Sequence, residues 1–153
     1  MRLLRRHAEG SLAALVENGV EPYYRLGVTI ENFCTWKAYR IFPPKDYAKW
    51  ARICEHVIRH YTEGWADGYR WKIRYWEIWN EPENLEDPME NQMWRGSFAE
   101  YCRFYGVVSK YLKGKFPGLK IGGYASCGFY AVTRKDPSPR SSRTASSRTT
   151  GSA

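Results

Sequence analysis

No two cysteines in this chain stand at the CxxC spacing, and no glycine-rich phosphate loop follows a candidate strand. No apolar run approaches the roughly 20 residues of a membrane span. These absences argue against a nucleotide-binding doubly wound domain and a membrane partner. The four cysteines, at 34, 54, 102 and 127, lie far apart beside apolar neighbours such as Phe33, Ile53 and Phe129. They read as reduced and mostly buried thiols. Histidine is scarce, with three in all. His56 and His60 stand four apart, but no glutamate follows the first of them as a zinc-protease helix requires, so neither a metal nor any other cofactor is expected. The opening "MRLLRRHAEGSLAALVENG" lacks the apolar centre of a secretion signal. With the unpaired cysteines, that slightly favours a cytoplasmic setting. Aromatic residues are absent from 133–153, where Ser, Thr, Arg and Pro dominate.

What is present is concentrated. Hydrophobic residues make up 43% of the 153, and every Trp, Tyr and Phe falls between Tyr23 and Tyr130. That is ample for a core in residues 1–132, one domain by length. The segment 133–153 cannot bury one and is expected to be disordered. Net charge is +8, which raises the possibility of nucleic acid. Half of the excess sits in that tail, on Arg134, Lys135, Arg140, Arg143 and Arg148 against Asp136. The remainder is scattered along helices without a basic face interleaved with aromatics, so no nucleic-acid partner is expected.

Periodicity orders the chain as helix, strand, helix, strand, helix, strand. A first helix has Leu4, Ala8, Leu12, Leu15 and Val16 on one side and stops at Asn18-Gly19. "VEPYYRLGV" is a candidate strand, followed by an aromatic loop from Thr29 to Pro44 holding Phe33, Trp36, Tyr39 and Phe42. Pro43-Pro44 opens a helix whose Tyr47, Trp50, Ala51, Cys54, Val57, Ile58 and Tyr61 form one stripe, closed at Gly64. "WKIRYWEIW" reads as the next strand. Ser97-x-x-Glu100 is a capping box, with Phe98, Cys102, Tyr105, Val108 and Leu112 as the stripe that follows. Pro117-Gly118 then turns the chain into "LKIGGYAS", a third strand. Strands separated by helices are parallel, and such α/β sheets carry their sites at the carboxyl ends of the strands.

Glu81 stands at such an end, in "YWEIWNEPENL". A carboxylic acid that protonates a leaving oxygen near neutral pH needs apolar walls or a neighbouring negative charge. Trp76 and Trp79 offer the walls. The Asn80 amide is suited to a sugar hydroxyl, and Pro82 fixes the backbone beyond the acid. The same letters also fit a solvated acidic loop running through Glu83, Glu86 and Asp87. Glu77 is no partner for Glu81 in catalysis. Four residues of extended strand separate their Cα atoms by roughly 13 Å, against about 5–5.5 Å between the carboxyls of a retaining pair and about 6.5–9.5 Å for an inverting pair. Glu77 is expected instead to be a buried structural carboxylate.

Four stretches, "GVEPYYRLG", "PPKDYAKW", "YWEIWNEPENL" and "FPGLKIGGYASCG", together resemble glycoside hydrolase family 39, the β-xylosidase group of the (β/α)8-barrel clan with its acid/base on strand 4. The likeness runs from about Gly19 to Gly128. It implies a partial TIM barrel of about three βα units, strands 3 to 5, and a carbohydrate partner such as a xyloside. It carries Glu81 over as general acid/base, Asn80 as the partner of the sugar 2-hydroxyl and Trp79 as a residue shaping the site. Where the family usually shows Asn after Asn-Glu-Pro, this chain has Glu83. The family's nucleophile, a glutamate near the end of strand 7, matches no residue here, so the chain alone is expected to be inactive. A rival reading is a non-catalytic carbohydrate-binding module stacking sugars on Trp36 or Trp94, although such modules are commonly all-β.

Overall fold

The computed structural model describes residues 2–27, 41–85 and 87–127. The tail expected to be disordered, the boundary at 132, most of the aromatic loop including Trp36, and Val28-Thr29 at the end of the first strand lie outside the described residues. Six elements alternate in chain order: α1 (Arg2–Glu17), β1 (Tyr23–Leu26), α2 (Tyr47–Thr62), β2 (Tyr75–Ile78), α3 (Phe98–Lys115) and β3 (Lys120–Gly122). The strands form one parallel sheet in the order β1-β2-β3, with Leu26 opposite Ile78 and Trp76 opposite Ile121. Adjacent parallel strands joined through helices are consecutive βα units.

The helix ends follow from the letters. Asp46 caps α2 by accepting from the Lys49 amide, and Ser97 caps α3 by accepting from Glu100. Gly19 and Gly64, at φ 71° and 79°, take the left-handed turns just past α1 and α2. The α2 stripe holds, with Ala51, Cys54, Ile58 and Tyr61 buried. Burial pushes the Cys54 thiol well above its ordinary range, which keeps it protonated.

The α3 stripe is displaced from the sequence reading. Tyr101, Phe104, Val108 and Leu112 are the buried side, while Phe98 and Cys102 are exposed and Tyr105 is half-buried. The larger rings of Tyr101 and Phe104 win the core side because they complete an aromatic cluster with Trp94 and Trp79. Cys102 and Cys127 are exposed, which corrects the expectation of mostly buried thiols; Cys34 lies outside the described residues.

The second strand is also shorter than "WKIRYWEIW". Tyr69 and Trp71 stack on each other and on Tyr61, drawing residues 69–71 onto α2 before pairing begins at Tyr75. In the finished sheet Trp76 and Ile78 are fully buried.

A polar bridge ties the two packed helices. The Tyr111 hydroxyl of α3 donates to Glu55 of α2, which also pairs with Arg59. The Tyr111 hydroxyl foremost, then Arg59, hold the Glu55 carboxyl below its ordinary value of 4.5 against the opposing effect of burial. Such a group stabilises the fold above its unfolded value and ceases to do so as pH falls. Urea midpoints should therefore decline as pH drops below about 4.5. The Tyr111→Phe variant should be less stable at neutral pH and show a flatter decline. Parallel pH profiles for the two proteins would exclude this role for the bridge.

Candidate active site

The chain leaves β2 in an unusual backbone. Trp79 and Glu81 both have positive φ, 73° and 42°, flanking Asn80. Non-glycine residues there cost of order 1–3 kcal/mol each and persist only where the surroundings fix them. The Trp79 amide donates to the Leu26 carbonyl at 2.8 Å, continuing toward β1. Asn80 forms a parallel bridge with Ala125, and the Glu81 amide donates to the Ala125 carbonyl at 2.9 Å. The Tyr101 hydroxyl donates to the Ile78 carbonyl just upstream at 2.8 Å.

The left-handed turn sends the Trp79 ring to the helical side. It is buried against Trp50, Trp94 and Phe104, and its Nε1 donates to the Met93 carbonyl at 2.8 Å. Gly27 makes room for it: φ is +112°, and a Cβ there would lie 2.8 Å from the Trp79 ring. Trp79 thus supports the loop from beneath. Asn80 is buried, with Nδ2 donating to the Met93 sulfur at 3.6 Å. Glu81 is half-buried, and Asn84 Nδ2 donates to its Oε2 at 3.1 Å.

Around this acid the loop is built by residues that periodicity does not single out. Buried Asn91 donates to the carbonyls of Pro82 and Leu85, and its Oδ1 accepts from the amides of Met93 and Trp94. Its only sequence signal is an asparagine in a polar loop, where an Asx turn is favoured. Glu83 reaches the segment after β3: its Oε1 accepts from Ser126 Oγ at 2.6 Å and from the Cys127 amide at 2.8 Å. Burial first, then the charges of Glu81 and Glu83, raise the Cys127 thiol.

The other candidates fall elsewhere. Glu77 is buried and accepts from Arg25 Nε at 2.6 Å, the structural carboxylate expected of it. Trp94, offered as a sugar platform in the binding-module reading, is fully buried with its Nε1 on the Ser97 carbonyl, so it cannot stack on a ligand. Trp36 lies outside the described residues. His56 stacks on Trp65, and His60 Nδ1 bonds to the Trp65 carbonyl, far along the chain from Glu81. Among the described residues no group of three potential metal ligands is gathered.

The pattern on which the site rests is shared. Residues 6–135 match the model of glycosyl hydrolases family 39. The chain belongs to glycosyl hydrolase family 39. This family-39 chain is 35% identical over 96 residues to a beta-xylosidase of Geobacillus stearothermophilus, covering 61% of the chain and 17% of that protein. It is 30% identical over 120 residues to a beta-xylosidase of Caldicellulosiruptor saccharolyticus, covering 73% of the chain and 23% of that protein. A crystal structure of a glucosidase from Croceicoccus marinus matches 73% of the chain and 21% of its own length, with a TM-score of 0.57 at 21% identity. That likeness carries the fold: α/β, with consecutive βα units of a partial TIM barrel. The family-39 chain spans about a fifth of the length of these relatives.

Proposed function

We infer that this chain supplies the acid/base segment of a retaining glycoside hydrolase acting on β-xylosides, with Glu81 as general acid/base. One observation carries the reading: Glu81 stands half-buried just past the carboxyl end of β2, joined through its amide to the segment after β3. That is where a parallel α/β sheet presents its chemistry. Its carboxyl protonates the leaving glycosidic oxygen and then takes a proton from the attacking water. Asn80 orients the sugar 2-hydroxyl, and Trp79 fixes the loop from below. The beta-xylosidase names of the relatives favour a xyloside. Retention requires a second carboxylate as nucleophile. The residues near Glu81 in sequence, Glu83, Glu86 and Glu90, match no nucleophile motif, so the chain by itself does not sustain turnover.

Exchange tests this. Residues 6–135 replace the corresponding segment of the Geobacillus beta-xylosidase, and the chimera is assayed on xylobiose. Turnover by the chimera together with none by the isolated chain is expected. A folded chimera without activity would overturn the reading.

A further inference from the structure

The strained turn at Glu81 poses a problem of aim. A general acid acts only when its carboxyl lies within hydrogen-bond reach of the reacting oxygen, and a misplacement of about 1 Å can cost about a hundredfold in rate. Backbone bonds fix where Glu81 begins: its amide is on Ala125, and its carbonyl accepts from the Asn84 amide at 3.1 Å. They leave the carboxyl to be fixed by side chains.

Two side chains converge on that task from the same loop. Asn84 Nδ2 donates to Glu81 Oε2 at 3.1 Å and also approaches Cys127 Sγ at 3.6 Å. Glu83, its neighbour, holds the Ser126–Cys127 turn through one oxygen, Oε1. Its other oxygen, Oε2, is buried with no hydrogen-bond partner among the described residues. A carboxylate kept half-satisfied in this way is costly for a loop staple, since a buried orphan acceptor costs about 1–3 kcal/mol.

We propose that Glu83 and Asn84 form a clasp between the loops after β2 and β3 that positions the Glu81 carboxyl, Asn84 touching it directly and Glu83 acting through the Cys127 turn. Neither residue is catalytic; both are positioning residues. Glu83 holds Ser126 and Cys127, Cys127 presents its sulfur to Asn84, and Asn84 presents its amide to Glu81. This rests on the acid/base reading of Glu81 for its purpose, although not for its geometry.

The test is NMR on the full chain, which needs no turnover. Two signals are followed: hydrogen exchange at the Cys127 amide and the carboxyl 13C resonance of Glu81. In Glu83→Ala the Cys127 amide should exchange at least about tenfold faster, as expected on loss of a bond to a charged acceptor. The Glu81 carboxyl resonance should move with it. Glu83→Gln, which keeps an acceptor, should restore both signals toward those of the unsubstituted chain. In Asn84→Ala the Glu81 resonance should move while the Cys127 amide stays protected. An unmoved Glu81 resonance in Glu83→Ala, with Cys127 released, would overturn the proposal and leave Glu83 a loop staple. So would an unmoved Glu81 resonance in Asn84→Ala. Because the chimera assay reads activity and these spectra read geometry, failure of one leaves the other standing.

Discussion

Replacing Glu81 by Gln in the chimera is expected to cut the turnover of xylobiose by about 10²–10⁴-fold, the usual worth of a positioned general acid/base. Glutamine keeps the volume and hydrogen-bonding ends of the side chain, so the strained turn and its Ala125 bond should survive. What is lost is the ionisable carboxyl proton. The loss should depend on the leaving group. An alkoxide leaving group needs protonation, whereas a nitrophenolate departs with little help, so the first step is spared with an aryl xyloside. The second step still needs a base to activate water. Added azide, which attacks without giving up a proton, should therefore restore turnover of the aryl substrate and yield a glycosyl azide. Equal losses with both substrates and no response to azide would remove Glu81 from the acid/base role.

The second large effect concerns stability. Trp79→Ala is expected to cost about 3–5 kcal/mol, the range for emptying a fully buried large aromatic site. The substitution removes the ring packed on Trp50, Trp94 and Phe104 and strands the buried Met93 carbonyl that its indole serves. Small domains are stable by only about 5–15 kcal/mol, so the loss is a large share of the total. Trp79→Phe should cost less, since it keeps part of the ring packing, although it too strands the Met93 carbonyl at about 1–3 kcal/mol. Urea unfolding of the three proteins distinguishes these cases. An unchanged midpoint in Trp79→Ala would mean that this cluster does not hold the loop.

Much of the architecture was legible because it is periodic. The α2 stripe, the caps at Asp46 and Ser97, and the turn at Gly64 each follow from local chemistry that tertiary contacts did not oppose. The first half of the α3 stripe was misread, Cys102 and Tyr105 for their neighbours Tyr101 and Phe104 and Phe98 as buried, while Val108 and Leu112 are buried as expected. A helix so rich in aromatics offers two nearly equal apolar faces, and only the rings waiting on the sheet decide between them. The place of Glu81 at a strand end was readable from the pattern. Its left-handed backbone was not, because no glycine marks the turn. The partners Asn84, Asn91 and Cys127 were hidden for a related reason. Their bonds join residues 43 or 44 apart in the chain or close polar turns with no repeat to detect.

The same aromatic knot has an optical consequence. Trp79 and Trp94 meet edge to face at 90°, their ring centres 5.1 Å apart, with Trp50 alongside. Indoles held that closely and that rigidly share their electronic transitions, giving a circular-dichroism band that free tryptophan lacks. Trp79 lies two residues from Glu81, so the chromophore sits on the loop that carries the acid. The chain contains its own label for that loop: whatever loosens the acid's seat should dim a signal that needs no dye.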